Sequence, residues 1–337
     1  MATPTPTKPG IKSPVQTTVK PQAAAASASS TVKPAAPASS DPTKTSTAVG
    51  TASKAFAEAF KIESLEDDIE FINMLIYGKY GSGKTTLLAT AADVDDMADV
   101  LLIDVESGKM SIKDNDRIER KDRIDTIRVS SFKQLAQVHK FLLAHCRYRD
   151  DPDATDKLIN LEAKFRGVEP AKIKTPRRYR TCGIDSLSEL DQLCLYELLG
   201  FSTDMQLDQA LKDGDMETAE WAEYKKNNQM MQLIIRAYRD LPMNFLTTCH
   251  AGYTQDELKR FHYSPVMTGK LSSQVQGFVD IVGYLIVGTV PEGKTEAPRR
   301  LMVQPTGKFD AKNRKASFKE AYFEDPVMSD IWDGING

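Results

Sequence analysis

Phe71 to Thr90 reads FINMLIYGKYGSGKTTLLAT, an apolar run that breaks into glycines and restarts as a Leu-rich helix. No other stretch restricts the fold so strongly. Gly78, Lys79, Tyr80, Gly81, Ser82, Gly83, Lys84 and Thr85 fill the pattern G-x-x-x-x-G-K-[ST] in the strand-to-helix context that it requires. A nucleoside triphosphate needs backbone N–H groups that can wrap its oxygens closely, and a Cβ at Gly78 or Gly83 would obstruct that wrap. The helix opening near Gly83 turns unsatisfied N–H groups toward the phosphates. Lys84 suits the β/γ-oxygens, the Thr85 hydroxyl suits Mg²⁺, and Thr86 offers a hydroxyl on the α-phosphate side. The bland alternative is a glycine-rich turn with an incidental lysine, and the complete motif in its context argues against it.

With 337 residues, 41% of them hydrophobic, the chain can bury one large α/β core or two small ones. No apolar run approaches the roughly 20 residues of a membrane span, and no signal-peptide core stands at the N-terminus. A cytoplasmic location without membrane contact is the expectation. Cys146, Cys182, Cys194 and Cys249 lack C-x-x-C spacing, which favours reduced thiols over disulfides or zinc ligands. Charge is uneven, with +5 in residues 1–54 and −8 in the remainder. Any nucleic-acid contact should therefore be local rather than spread over a cationic face.

Residues 1–54 are Ala/Pro/Thr/Ser/Lys-rich without an aromatic, a composition that predicts a disordered tail. A domain over 55–325 should follow, with 326–337 as an irregular acidic C-terminal extension. Residues 55–70 suggest a short helix whose Phe56-x-x-Ala59 fits either packing on its own domain or docking on a neighbour. Val100 to Ile103 reads as a strand covered on both faces, ending in Asp104-Val105-Glu106 at the edge where open α/β sheets gather ligands. Ile124–Val129 reads as a strand and Ser131–Cys146 as an amphipathic helix, continuing a βαβ rhythm. Residues 147–180 form a charged insertion rich in Lys172, Lys174, Arg177, Arg178 and Arg180, read as a solvated face with nucleic-acid contact as the alternative. Thr181 to Leu187 gives a strand ending in Asp185, a carboxylate suited to Mg²⁺. Helices are expected over 187–200 and 216–240. Met243 to Cys249 is a strand delivering His250 to the same edge, as a γ-phosphate sensor or a structural histidine. Ala251 to Gln276 reads as a long polar loop, with Lys259, Arg260, Phe261, Tyr263 and Lys270 as candidate DNA contacts. Strands over 279–287 and 300–303 close the sheet.

Taken in order, the P-loop, the strand ending Asp-x-Glu, the strand ending Asp-Ser-Leu, the strand ending Thr-Thr-Cys-His and a late Lys-Asn-Arg resemble the RecA-like ATPase core from about residue 68 to 320. The resemblance is strongest to bacteriophage RecA-like ATPases of single-strand annealing and recombination. It implies an α/β fold with a mostly parallel central sheet flanked by helices, ATP and Mg²⁺ as cofactors, single-stranded DNA as partner, a single-strand-binding protein as a possible further one, and assembly into a ring or filament. It makes Glu106 the base that orients water, Asp185 the Mg²⁺ residue and His250 the sensor, although larger recombinases often carry Gln there. Lys312 and Arg314 resemble cations supplied to a neighbour's nucleotide. The tail leaves little room for the folded N-terminal domain of larger recombinases, so annealing fits better than strand exchange. Two other readings stay open: a DNA-binding adaptor switched by nucleotide with negligible turnover, and a small-molecule P-loop kinase.

Overall fold

The computed structural model describes residues 71–201, 219–255, 257–293, 295–315 and 318–336. The expected tail and the Phe56–Ala59 segment lie outside them. Ten strands are described: β1 (Asn73–Gly78), β2 (Val100–Asp104), β3 (Ile124–Arg128), β4 (Thr181–Asp185), β5 (Asn244–Gln255), β6 (Phe261–Pro265), β7 (Ile281–Val287), β8 (Arg299–Met302), β9 (Lys312–Asn313) and β10 (Tyr322–Glu324). The helices are α1 (Lys84–Ala89), α2 (Met110–Lys113), α3 (Phe132–Cys146), α4 (Thr155–Arg166), α5 (Leu187–Leu198), α6 (Trp221–Arg239), α7 (Leu271–Phe278) and α8 (Met328–Asn336).

One sheet carries the order β10-β8-β7-β1-β5-β4-β2-β3, with β6 added to β5 and β9 to β7. From β7 through β3 the pairings are parallel, and β6, β8, β9 and β10 join antiparallel. The expected fold, α/β with a mostly parallel sheet flanked by helices, is the one observed. Alternation along β1 shows how both faces are covered: Leu75 and Tyr77 join a core with α3, α5, α6 and α7, whereas Met74 and Ile76 join a second core with α1 and α8.

Topology places the candidate site. The chain leaves β1 for β2, three strands away, and later returns to lay β5 between β1 and β4. Loops after β1, β2, β4 and β5 therefore converge at one edge, where the strand order reverses.

Two expectations change. The stretch 251–276, read as a mobile loop, continues β5 as far as Gln255, turns back as β6 and enters α7. The C-terminus, read as irregular, forms α8, whose Met328, Ile331 and Ile335 are buried in the second core. Their spacing at i, i+3 and i+7 is a helical stripe that the surrounding acids obscure. The Met328 N–H donates to Thr90 Oγ1 at 2.9 Å, tying α8 to the turn that follows α1. Among the described residues, no helix is long and apolar enough to cross a membrane.

Candidate nucleotide site

The loop after β1 is built to keep side chains away. A Cβ on Gly78 would fall 2.5 Å from Leu285 O and 2.6 Å from Ser82 Oγ, so only glycine lets β1, β7 and the loop close together. Gly83 adopts φ 96°, a left-handed conformation that favours glycine, and caps α1 without a side-chain hydrogen bond. Ser82 Oγ is buried without a hydrogen-bond partner. Lys84 is buried, and its Nζ turns back to donate to Gly78 O at 3.2 Å and Lys79 O at 3.1 Å. Burial lowers the Lys84 pKa, against the pull of Glu106 and Asp185. An ammonium held only by two carbonyls, an orphaned hydroxyl and a cradle that a Cβ would fill suit an incoming polyphosphate.

Beside this loop stands a carboxylate pair of contrasting character. Thr85 Oγ1 donates to Asp185 Oδ2 at 2.7 Å, and the Thr248 hydroxyl donates to Asp185 Oδ1. Asp185 is fully buried at the end of β4, and burial raises its pKa despite those two hydroxyls. A hydroxyl and a buried carboxylate in contact, next to the phosphate cradle, form a hard-oxygen donor set that fits Mg²⁺. Glu106 follows β2 in a turn pinned to β4, where the Val105 and Glu106 N–H groups donate to Asp185 O at 2.7 and 3.2 Å. Ser107 next to it takes φ 66°, an uncommon conformation for a non-glycine residue. Burial pushes the Glu106 carboxyl up, but His250, the Ser186 hydroxyl donating to it and the Lys84 ammonium prevail, so it lies below the ordinary carboxylate range.

His250 is buried between the two halves of the site. Its Nε2 lies 2.9 Å from Glu106 Oε1 and 3.8 Å from Glu189 Oε1, off the line of a regular hydrogen bond. The exposed Tyr80 ring at the tip of the phosphate loop packs on it, centroid to centroid 4.2 Å. Thr86 Oγ1 accepts from Asn115 Nδ2 at 3.0 Å, which anchors the 115–117 loop to α1.

Beyond His250, β5 runs on into the hairpin with β6. Lys259, Arg260, Phe261 and Tyr263 line a cavity of about 1040 Å³ together with Lys308 and Phe309. The Tyr263 N–H donates to Lys308 O at 2.8 Å, so the 306–310 turn forms the second wall. This groove contacts the phosphate loop directly: Lys79 Nζ sits 5.6 Å from the Tyr263 ring centre. Tyr77, the last side chain before Gly78, donates its hydroxyl to Asp310 O at 2.5 Å and stacks on Tyr284, which stacks on Tyr263.

Other expected residues lie elsewhere. Lys270 borders a separate cleft with Trp221 and Tyr224, between α6 and α7. Arg177 and Arg180 pair with Asp125 and Asp150 at 3.1 and 3.3 Å, Arg178 donates to Arg149 O, and Tyr179 is buried. Much of the basic density of the 147–180 insertion thus holds its own fold together, with Lys172 and Lys174 exposed. Lys312 and Arg314, expected to project toward a neighbour, sit at the opposite edge of the sheet from the phosphate loop. Lys312 pairs with Val282 in β9, and its Nζ donates to Gln276 O and Val279 O at 2.8 and 2.7 Å. Arg314 bonds Asp280 Oδ1 at 2.9 Å and Gly277 O at 2.8 Å. These carbonyls at the end of α7 need donors, so both cations are engaged within their own chain. All four cysteines are free thiols, three of them buried.

Asp104, placed by its sequence at the strand end, accepts from the Gly108 N–H through Oδ1 at 2.9 Å, whereas sequence reasoning passed over Asn115 and Arg299. The Thr248 contact had a signal in the Thr-Thr-Cys-His strand end. Arg299 had none, because nothing local reveals that β8 passes the phosphate loop.

Solved structures similar to the chain include a RadB recombinase, at 14% identity over 68% of this chain and 79% of that one with a TM-score of 0.32. Another is the flagellar accessory protein FlaH from Methanocaldococcus jannaschii, at 8% identity over 68% and 76% with a TM-score of 0.30. No curated protein matches the chain. The AAA domain family AAA_24 matches residues 70–315, and with that match spanning most of its length the chain belongs to this family.

Proposed function

We propose that this chain is a Mg²⁺-assisted, RecA-like ATPase that acts on single-stranded DNA in phage recombination, annealing or replication. One observation carries the reading: at a single sheet edge, Lys84 and the glycine cradle meet the Thr85–Asp185 pair and the ionised Glu106. Thr85 and Asp185 would hold the cation, which when bound neutralises phosphate charge as it develops. Lys84 exchanges its two carbonyls for phosphate oxygens. Glu106 is in its basic form at neutral pH, because its pKa is lowered, and can orient a water and accept its proton. The hairpin groove, with Lys259, Phe261 and Lys308 on its walls, supports the DNA part, since bases stack on exposed aromatics while cations track the backbone. Assembly into a ring or filament rests on the resemblance alone, now that Lys312 and Arg314 have partners in their own chain.

A second reading, a nucleotide switch with negligible turnover, is favoured by the engagement of the Glu106 carboxylate with Ser186 and His250. ATP turnover measured with and without single-stranded DNA separates the two. Turnover that rises with DNA is the expected result. Tight ATP binding without turnover in either condition leaves the switch, and no ATP binding at all overturns both.

A further inference from the structure

Arg299 is out of place in an ordinary sheet edge. It opens β8, and its backbone is fixed on both sides: its N–H donates to Asp325 Oδ1 at 2.8 Å, and its carbonyl accepts from the Asp325 N–H at 2.7 Å. Its side chain then reaches across to the phosphate loop. A Cβ built on Gly83 would lie 3.1 Å from Arg299 Nε and 3.3 Å from its Cδ, so the guanidinium packs over the face of Gly83 that a side chain would occupy. Nε is buried there without a hydrogen-bond partner. The carboxylate of the exposed Glu296 lies 4.0 Å from Nη1. A buried donor left unpaired costs stability unless something else satisfies it.

Arg299 is also the wall between the phosphate loop and a cavity of about 530 Å³, lined further by Arg117, Thr295, Ala297, Pro298 and Asp325. That volume falls in the range of about 300–1,000 Å³ typical of small-molecule sites. The cavity is braced, because Arg117 Nη2 donates to Asp325 O at 2.8 Å and to Pro326 O at 3.0 Å. Covalent connectivity adds a direction. With Lys84 and Thr85 taking the terminal phosphates, the nucleoside must leave on the Thr86 and Gly83 side, and there the 115–117 loop and Arg299 frame the opening.

We propose that Arg299 binds the α-phosphate of the nucleotide through its orphaned Nε edge, and that the cavity beside it receives the nucleoside. This rests on the nucleotide reading above and assigns its second half. Arg299 is a binding residue supplied by the same chain, and it does not discriminate the γ-phosphate.

Calorimetric titration of the full chain with ATP, ADP and inorganic tripolyphosphate, each with Mg²⁺, tests both parts. Arg299→Ala should weaken all three by roughly tenfold or more, the worth of a hydrogen bond to a charged group. Arg299→Lys, which keeps charge but lacks the Nε donor, should fall between. Ala297→Trp, filling the cavity, should weaken ATP and ADP by a similar factor and leave tripolyphosphate within about twofold of the wild type. Thermal melts of each variant verify folding. Folded Arg299→Ala or Arg299→Lys that binds all three ligands as the wild type does overturns the Arg299 assignment. A folded Ala297→Trp that binds ATP normally overturns the nucleoside cavity. Wild-type protein that takes up neither ATP nor tripolyphosphate overturns the nucleotide reading itself, and this one with it.

Discussion

Glu106 and Asp185 are carboxylates at the ends of two neighbouring strands, β2 and β4, yet their surroundings drive them apart. Asp185 is buried, and that burial raises its pKa although two hydroxyls donate to it. Glu106 has Ser186, His250 and Lys84 around it and remains ionised. That split gives each residue a separate role and a separate test. Glu106→Gln should bind ATP as the wild type does and lose turnover by roughly 100-fold or more, the contribution of a general base. Lys84→Ala should lose tight binding, since it leaves the phosphates without their buried cation. Nucleotide titrations beside single-turnover rates make the comparison, and an equal loss of binding in both variants would remove Glu106 from the role of base.

At the level of elements, the hairpin of β5 and β6 is the structure's main departure from the sequence-based expectation. Its tip carries Lys259, which adopts φ 59° in the turn, and Phe261 stands half exposed on the groove wall. Replacing Lys259 and Lys308 with alanine should weaken single-stranded DNA binding and flatten its log–log salt dependence by somewhat under about one unit per lost phosphate contact. Phe261→Ala should weaken it by about 1–3 kcal/mol at every salt concentration, as expected for a lost stacking platform. Fluorescence anisotropy across a salt series separates the two effects, and unchanged affinity in both variants would move the DNA site off this groove. The alternation of Phe261, Tyr263 and Pro265 is a strand signal, but it is short and flanked by glycine and charge. A reading by composition therefore yields a loop. β1 with its phosphate loop was legible because motif and context are contiguous in the chain. The placement of Lys312 and Arg314 was not, since their partners, Gln276 and Val279 for Lys312 and Gly277 and Asp280 for Arg314, lie more than 30 residues away and only the fold brings them together. Arg299 stayed hidden for the same reason.

For the molecule as a whole, the C-terminal helix α8 is part of what holds α1 in place. Ile331 is fully buried in the core that also contains Leu87 and Leu88 of α1. Ile331→Ala should therefore cost about 2–5 kcal/mol, read as a drop in the urea midpoint of the nucleotide-free protein. A shift under about 0.5 kcal/mol, within the range of an ordinary surface substitution, would show that α8 does not share in the cooperative fold. Beyond stability, the topology has a consequence for how ligands influence one another. Tyr77 leads into the phosphate cradle and its hydroxyl holds the turn that walls the hairpin groove, while β5 carries His250 past Glu106 and then becomes the hairpin itself. Two ligands on one continuous piece of backbone cannot be energetically independent if either moves it. Linkage then requires symmetry: whatever factor a filled cradle adds to the affinity of the groove, a filled groove must return to the cradle. On the proposed function, a single strand lodged in the groove would thereby alter the affinity for ATP without any contact between the two ligands.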